Sequence, residues 1–279
     1  MSASASVAQS GKKGENIPDL EEIVHVWAKD MWRMTKVGDQ KKIPDEVLQF
    51  TINWRNVRFN FETPDYQIVP SFGMGQQNGG VPKKQQQPQV LFRTRFANST
   101  SQEQEYSFKT ERTTRSAATI AVEQGFSRGA EFGLSLKTPC EILEANAGFK
   151  AEMSLLNIGE DTVEEEVVWG VDSSIKVPPK TETTAELVVT EVQQSGTFVM
   201  QTRIWGRVLV SITNLRENNS VVTNLEGTIG DIMKHYIPKL GLKGFRLDRN
   251  VLVVETKGKC DFKYGVEQRI RIDERAMLN

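Results

Sequence analysis

Leu143-Glu-Ala-Asn-Ala-Gly-Phe-Lys-Ala-Glu-Met-Ser-Leu155 is the stretch on which the fold turns. Every odd position is apolar (Leu143, Ala145, Ala147, Phe149, Ala151, Met153, Leu155), and every even one is polar or glycine (Glu144, Asn146, Gly148, Lys150, Glu152, Ser154). A period of two puts the two sets on opposite sides of a strand. A helix fits less well. Ile142, Ala145, Phe149, Met153 and Leu156 fall at helical spacing, but Leu143, Ala147, Ala151 and Leu155 would then lie on the polar side, with Gly148 inside the helix. Upstream, Ala130, Phe132, Leu134 and Leu136 alternate with Glu131, Gly133, Ser135 and Lys137, and the same even parity reaches back through Phe126, Val122 and Ile120, broken by Gln124 and Arg128. Thr138-Pro139-Cys140-Glu141-Ile142 between the arms reads as a turn. The whole is a long hairpin over about 128–157, with one apolar face and one polar face.

Its surroundings are strand-like for more than a hundred residues. Segments 89–97, 105–122, 129–136, 143–155, 162–177, 181–192 and 196–215 carry the pattern, and several exceed the usual length of about five or six, so long twisted strands are expected. On the N-terminal side, Pro18, Asp19, Glu21 and Glu22 suit the start of a helix, with Leu20, Ile23, Val24, Trp27, Met31 and Met34 at helical spacing and Gly38 as its stop. Residues 48–61 favour strand, interrupted at 53–56, and 73–88 are rich in breakers. Gly73-x-Gly75 there lacks the third glycine of a phosphate loop. Toward the C-terminus a short helix is expected at 228–236, ended by Pro238 and Gly241. Strands at 251–256 and 260–272 follow, joined by a turn at Lys257-Gly258-Lys259. The chain then divides into a disordered tail (1–16), a head region (17–89), a central module (90–215) and a C-terminal helix and hairpin (216–279).

Composition removes whole classes of function. Thirty-five basic and thirty-six acidic side chains give a net charge of -1, leaving no excess to neutralise a phosphate backbone, so no nucleic-acid partner is expected. Mean hydropathy is -0.42, and no apolar run approaches the roughly 18–20 residues of a spanning helix. Two histidines and two cysteines are poor material for a metal site or a disulfide framework, and no cofactor is expected. Acidic runs such as Glu164-Glu165-Glu166 read as solvated strand faces. With no nucleophile, base and orienter to be grouped, the chain does not read as an enzyme. Met1–Gly14 has no apolar core of a signal peptide, so a soluble protein is expected, cytoplasmic or released by another route.

An alternating hairpin usually covers a core. Length and chemistry suggest more here, because a transmembrane strand needs about 9–11 alternating residues and both arms supply them. One hairpin cannot cross alone, since its unpaired edge groups would cost several kcal/mol each in hydrocarbon. Several copies closed into a ring would pair them.

Ser107-Phe-Lys-Thr-Glu-Arg-Thr-Thr-Arg-Ser116 leads into the hairpin. The stretch from Trp169 through Ile175-Lys-Val-Pro-Pro-Lys-Thr181 into Thr183-Thr-Ala-Glu-Leu-Val-Val189 leads out. In this order the features, over roughly 96–215, resemble the aerolysin and epsilon-toxin/Mtx2-like β-pore-forming proteins. The resemblance implies a mainly β, elongated fold of long twisted antiparallel strands with a few short helices and a tucked amphipathic insertion hairpin. It also implies a soluble monomer that binds a membrane lipid or glycan receptor, joins a homo-oligomeric ring, commonly of seven, and opens the hairpin into a shared barrel. Carried onto this sequence, Ala130, Phe132, Leu134, Leu136, Ala145, Ala147, Phe149, Ala151, Met153 and Leu155 would face lipid. Glu131, Ser135, Lys137, Glu144, Asn146, Lys150, Glu152 and Ser154 would line the lumen, one net negative charge per hairpin. Pro139, Cys140, Ile142 and Leu143 would sit at the tip that crosses first. Trp54, Tyr66, Trp205 and Tyr236 are candidates for receptor contact, though each reads more readily as a core or edge aromatic. Phe149→Lys is expected to spare folding and stop conductance. The alternative is a soluble carbohydrate- or lipid-binding β-module of the same architecture that does not insert.

Overall fold

The computed structural model describes residues 17–70, 86–129, 133–145, 148–155 and 159–277. Helix α1 (Leu20–Thr35) starts where its charges suggest: Asp19 caps it, accepting the Glu21 N–H at 2.9 Å, and Leu20, Ile23, Val24, Ala28 and Trp32 form its buried face. Strands β1 (Leu48–Asn53), β2 (Val57–Phe61), β3 (Asp65–Pro70), β4 (Gln86–Asn98) and β5 (Gln104–Gln124) follow. Next come the short elements β6 (Leu134–Lys137), α2 (Cys140–Glu144) and β7 (Glu152–Leu155), and then the long strands β8 (Glu160–Val177) and β9 (Thr181–Asn214). The chain closes with β10 (Ser220–Thr228), α3 (Ile229–Leu240), β11 (Phe245–Asp248) and β12 (Val251–Ala276). Among the described residues no helix is long and apolar enough to cross a membrane.

Strand β9 is the spine. Its 34 residues, at roughly 3.3 Å each, would extend roughly 110 Å. The break expected at 193–195 is absent. Along one side β9 pairs with β12 from Leu252↔Ile204 to Ala276↔Thr181; along the other it pairs in turn with β4, β3 and β2. Beyond Gly206 its partners become β1 and β10. Glycine is required at that exchange, where φ is +115° and a Cβ would lie 2.1 Å from the Asn56 carbonyl oxygen.

The expected turn at Lys257-Gly258-Lys259 does not exist, because β12 runs unbroken through it. Gly258 serves close approach instead: a Cβ there would meet the Ala121 carbonyl oxygen at 2.3 Å and the Phe198 ring at 2.6 Å. The hairpin lies earlier, between Asp248 and Val251, where Arg249 takes φ 56°. Helix α3 likewise passes through Pro238 and ends at Gly241 in the left-handed conformation.

The strand order β8-β5-β12-β9 makes two layers at one end. There β5 pairs only with β8, and that ribbon packs on β9 and β4 through Phe108, Ile175, Val177, Ala185, Leu187 and Phe92. Glu186 of β9, 2% exposed, lies between its direct neighbours Arg93 and Arg271 and ion-pairs with both. Burial works to raise its pKa, but the two guanidiniums outweigh burial and hold it below the ordinary carboxylate value. At the opposite end α1 and α3 cover Ile204, Val208, Val210, Leu252 and Val254. A third core lies between the two, and it takes in the segment between β5 and β8.

Candidate functional site

The segment between β5 and β8 does not form the long two-stranded hairpin that its alternation suggests. It folds as a four-residue strand, a single-turn helix and another four-residue strand. An isolated two-stranded ribbon is marginal in water, and β6 and β7 pair only with each other. Burying apolar side chains on the face of the sheet is the available alternative. Thr138 to Ile142, expected as a turn, becomes the start of α2: Pro139 precedes it, and its carbonyl accepts from Ile142 and Leu143 N–H at 3.0 and 3.1 Å.

The parity of the side chains nevertheless survives. Leu134 pairs across with Leu155 and Leu136 with Met153, and all four are buried. They pack with Ile142 and Phe149 against Ala118, Ile120 and Val122 of β5, Val192, Phe198 and Met200 of β9, and Cys260, Phe262 and Tyr264 of β12. Ala145 is partly buried against the same core. The polar set turns outward: Ser135 pairs with Ser154 and Lys137 with Glu152, while Glu144 and Lys150 are exposed. Ala151 breaks the rule, being apolar by pattern yet exposed. At the tip Pro139 and Ile142 are buried, Leu143 is half-buried and Cys140 is exposed. Ala130, Glu131, Phe132, Asn146 and Ala147 lie outside the described residues.

Phe149 meets Phe262 edge to face, with ring centroids 6.4 Å apart. Phe149→Lys would therefore leave a charge inside the core, so the expectation that this change spares folding is overturned. Cys140 and Cys260 are both free. Burial, with a smaller contribution from Asp261, pushes the Cys260 thiol up to about 11.

A few polar contacts hold the segment down. The Tyr66 hydroxyl donates to the Lys137 carbonyl at 2.7 Å, Lys137 Nζ donates to Thr63 Oγ1 at 3.1 Å, and Thr138 Oγ1 donates to the Lys150 carbonyl at 2.6 Å. At the near end, Ser127 bridges to Asp19 in parallel. Ser127 N–H donates to the Pro18 carbonyl at 2.9 Å, Leu20 N–H donates to the Ser127 carbonyl at 2.8 Å, and Gly129 N–H donates to Asp19 Oδ1 at 3.0 Å. The start of α1 thus straps the root of the segment. Pro18 and Asp19 look in sequence like a helix start and nothing more, and no local pattern announces a bridge across so many residues.

Of the four aromatics considered for receptor contact, Trp205 is exposed (40%) and Trp54 is half-buried beneath the Arg128 guanidinium. Tyr66 is half-buried and uses its hydroxyl on the segment. Tyr236 is 2% exposed and donates to Asp30 at 2.8 Å, so it cannot stack on a sugar in this state. It floors an open groove of about 530 Å³ between α1 and α3, with Trp27, Met31, Met34 and His235 on the walls.

With this geometry in view, residues 56–279 match the family described as Clostridium epsilon toxin ETX/Bacillus mosquitocidal toxin MTX2. The chain belongs to the ETX/MTX2 family. That description names two bacterial toxins. No curated protein sequence matches the chain. Among solved structures, a non-toxic crystal protein from Bacillus thuringiensis shares the fold. Identity is 15% over 94% of this chain and 98% of that one, with a TM-score of 0.57. The Mpp75Aa1.1 β-pore-forming protein from Brevibacillus laterosporus is 16% identical over 83% of this chain and 72% of that one, with a TM-score of 0.44. The ETX/MTX2 match takes in β2 onward, including the whole of the tucked segment.

Proposed function

We propose that this ETX/MTX2 protein is a β-barrel pore former whose residues 128–157 are the inserting hairpin. One observation carries the reading: a segment with two-residue alternation hides most of its described apolar side chains on a sheet face while only eight of its described residues are in strands. Its polar side chains already point to water. A soluble monomer docks on a membrane lipid or glycan through the helical end formed by parts of 17–89 and 216–279, where Trp205 is exposed and the α1–α3 groove opens. Copies assemble into a ring, each segment leaves its core, and the segments close into one barrel, which satisfies every strand edge at once. The apolar residues of the two arms then face lipid and the polar ones the lumen.

Ala151 offers a cleaner test than Phe149. Exposed here, it should accept lysine without loss of fold; near the middle of a lipid-facing arm, lysine costs about 2–4 kcal/mol per copy. Ala151→Lys is expected to keep the wild-type circular dichroism spectrum and melting point and to bind liposomes, yet release no calcein. Wild-type leakage from that variant would mean that this face never meets lipid.

A further inference from the structure

The strands flanking the segment already specify a register, and the tucked segment is not in it. In the β5–β8 ribbon the partners' residue numbers add to 281 at every position, from Gln104↔Val177 to Ala121↔Glu160. The next bond inward keeps that register, Val122 N–H donating to the Gly159 carbonyl at 2.6 Å. Between β6 and β7 the numbers add instead to 289, as in Leu134↔Leu155 and Lys137↔Glu152.

Both totals are odd, so moving from one to the other leaves every side chain on its own face. Even residues of β5 and odd residues of β8 point inward, the parity of the segment's apolar set. We infer that insertion is a register shift: β6 and β7 unpair, α2 unwinds, and the β5–β8 ribbon grows through the segment in its own register, bringing Lys137 opposite Glu144 rather than Glu152. This rests on the pore-forming reading and adds to it a specific pairing.

The sequence supports the grown register independently. It sets Glu131 opposite Lys150 and Lys137 opposite Glu144, two pairs of opposite charge on the polar face. It sets Phe132 opposite Phe149, Leu134 opposite Ala147 and Leu136 opposite Ala145 on the apolar face, and Gly133 opposite Gly148. The last pair before the tip is Thr138 with Leu143, closing a four-residue loop in which Pro139 takes the second turn position that proline favours. Extended in the same way, the tucked register would close on Glu144-Ala145, a two-residue loop without the Gly, Asn or Asp that such a turn favours. With those charge pairs neutralised, Glu152 faces Gly129 and holds the one unmatched lumen charge of each hairpin, which places a mild cation preference there.

Spin labels can read the register. On a Cys140→Ser background of the full chain, one variant carries labels at Lys137→Cys and Glu144→Cys, another at Lys137→Cys and Glu152→Cys. Phosphatidylcholine–cholesterol vesicles serve as the membrane, with calcein release measured on the same samples. In solution the 137/152 pair should broaden strongly. On vesicles that broadening should vanish as the pair separates to roughly 26 Å, eight residues at about 3.3 Å, and the 137/144 pair should broaden in its place. Calcein release with the 137/152 pair still in contact would overturn the register shift and leave the pore reading standing. If no calcein is released, the pore reading fails for this membrane, and unchanged 137/152 broadening then overturns the shift as well. A charge test adds a second measure: Lys137→Glu should slow release, and Glu144→Lys should restore it. Rescue by Glu152→Lys alone would refute the shift.

Discussion

Strand β8 and the run Leu143–Leu155 both carry most of their apolar residues at odd positions, and they fold differently. β8 is a strand of 18 residues whose odd side chains, Ser173 apart, are the less exposed set. The thirteen-residue run ends α2, bends through Gly148 at φ +83° and reaches strand only for its last four residues. The difference is a partner: β8 has the edge of β5 along its whole length, and the run has only the short β6. Alternation decides which way side chains face if a strand forms, whereas an available edge decides whether it forms. In the hairpin proposed above, the run would pair with 126–138 of its own chain along one edge and with the next copy along the other.

The comparison can be broken by equal deletions in the two regions. Ile204 in β9 and Leu136 in β6 are both fully buried, and truncation to alanine costs about 2–5 kcal/mol at such sites. Ile204→Ala should lower the global unfolding midpoint by that amount in urea titration. Leu136→Ala should lower local stability, seen as faster amide exchange over 133–155, with earlier calcein release because the loosened side chain lies on the part that leaves. If the two variants lose global stability alike and release calcein alike, the segment is ordinary core and the distinction fails.

A smaller change sharpens it. Thr138 is buried and bonds Lys150 across the segment, so Thr138→Val should cost about 1 kcal/mol. The cost should be confined to the exchange rates of the segment, with the melting temperature nearly unmoved.

Acid has the weakest effect, and it falls on the other region. His25 of α1 lies edge-on to Phe50 at 5.3 Å, and burial, then Lys29, lower its pKa below the ordinary 6.5. A depressed histidine pKa means that the unfolded chain takes up the proton first. Stability from this group is complete above about pH 6.5 and is lost as pH falls through the folded value. Mild acid should loosen the helical end before the segment, and His25→Phe should flatten the dependence in melting curves taken between pH 7.5 and 5.

Much of this was legible in the residues. The spans of β5 and β8, the start of α1 to within a few residues and the parity of the segment follow from local periodicity and charge, which act over a few residues. The turn at Gly258 and the break in β9 were misread because a glycine for close approach looks like a glycine for turning, while Tyr236 takes the core reading of the two the sequence left open. The strap of Asp19 on Ser127 and Gly129 had no signal, since it joins residues far apart in the chain.

Alternation by itself determined which side chains share a face, and both registers respect it because the period is two. Tertiary structure decided where that face goes: onto β5, β9 and β12, in a pairing offset by eight residues from the register of the flanking β5–β8 ribbon. The reason is that facing is a property of one strand, while register belongs to two, and the partner that would complete a barrel is another copy of the chain.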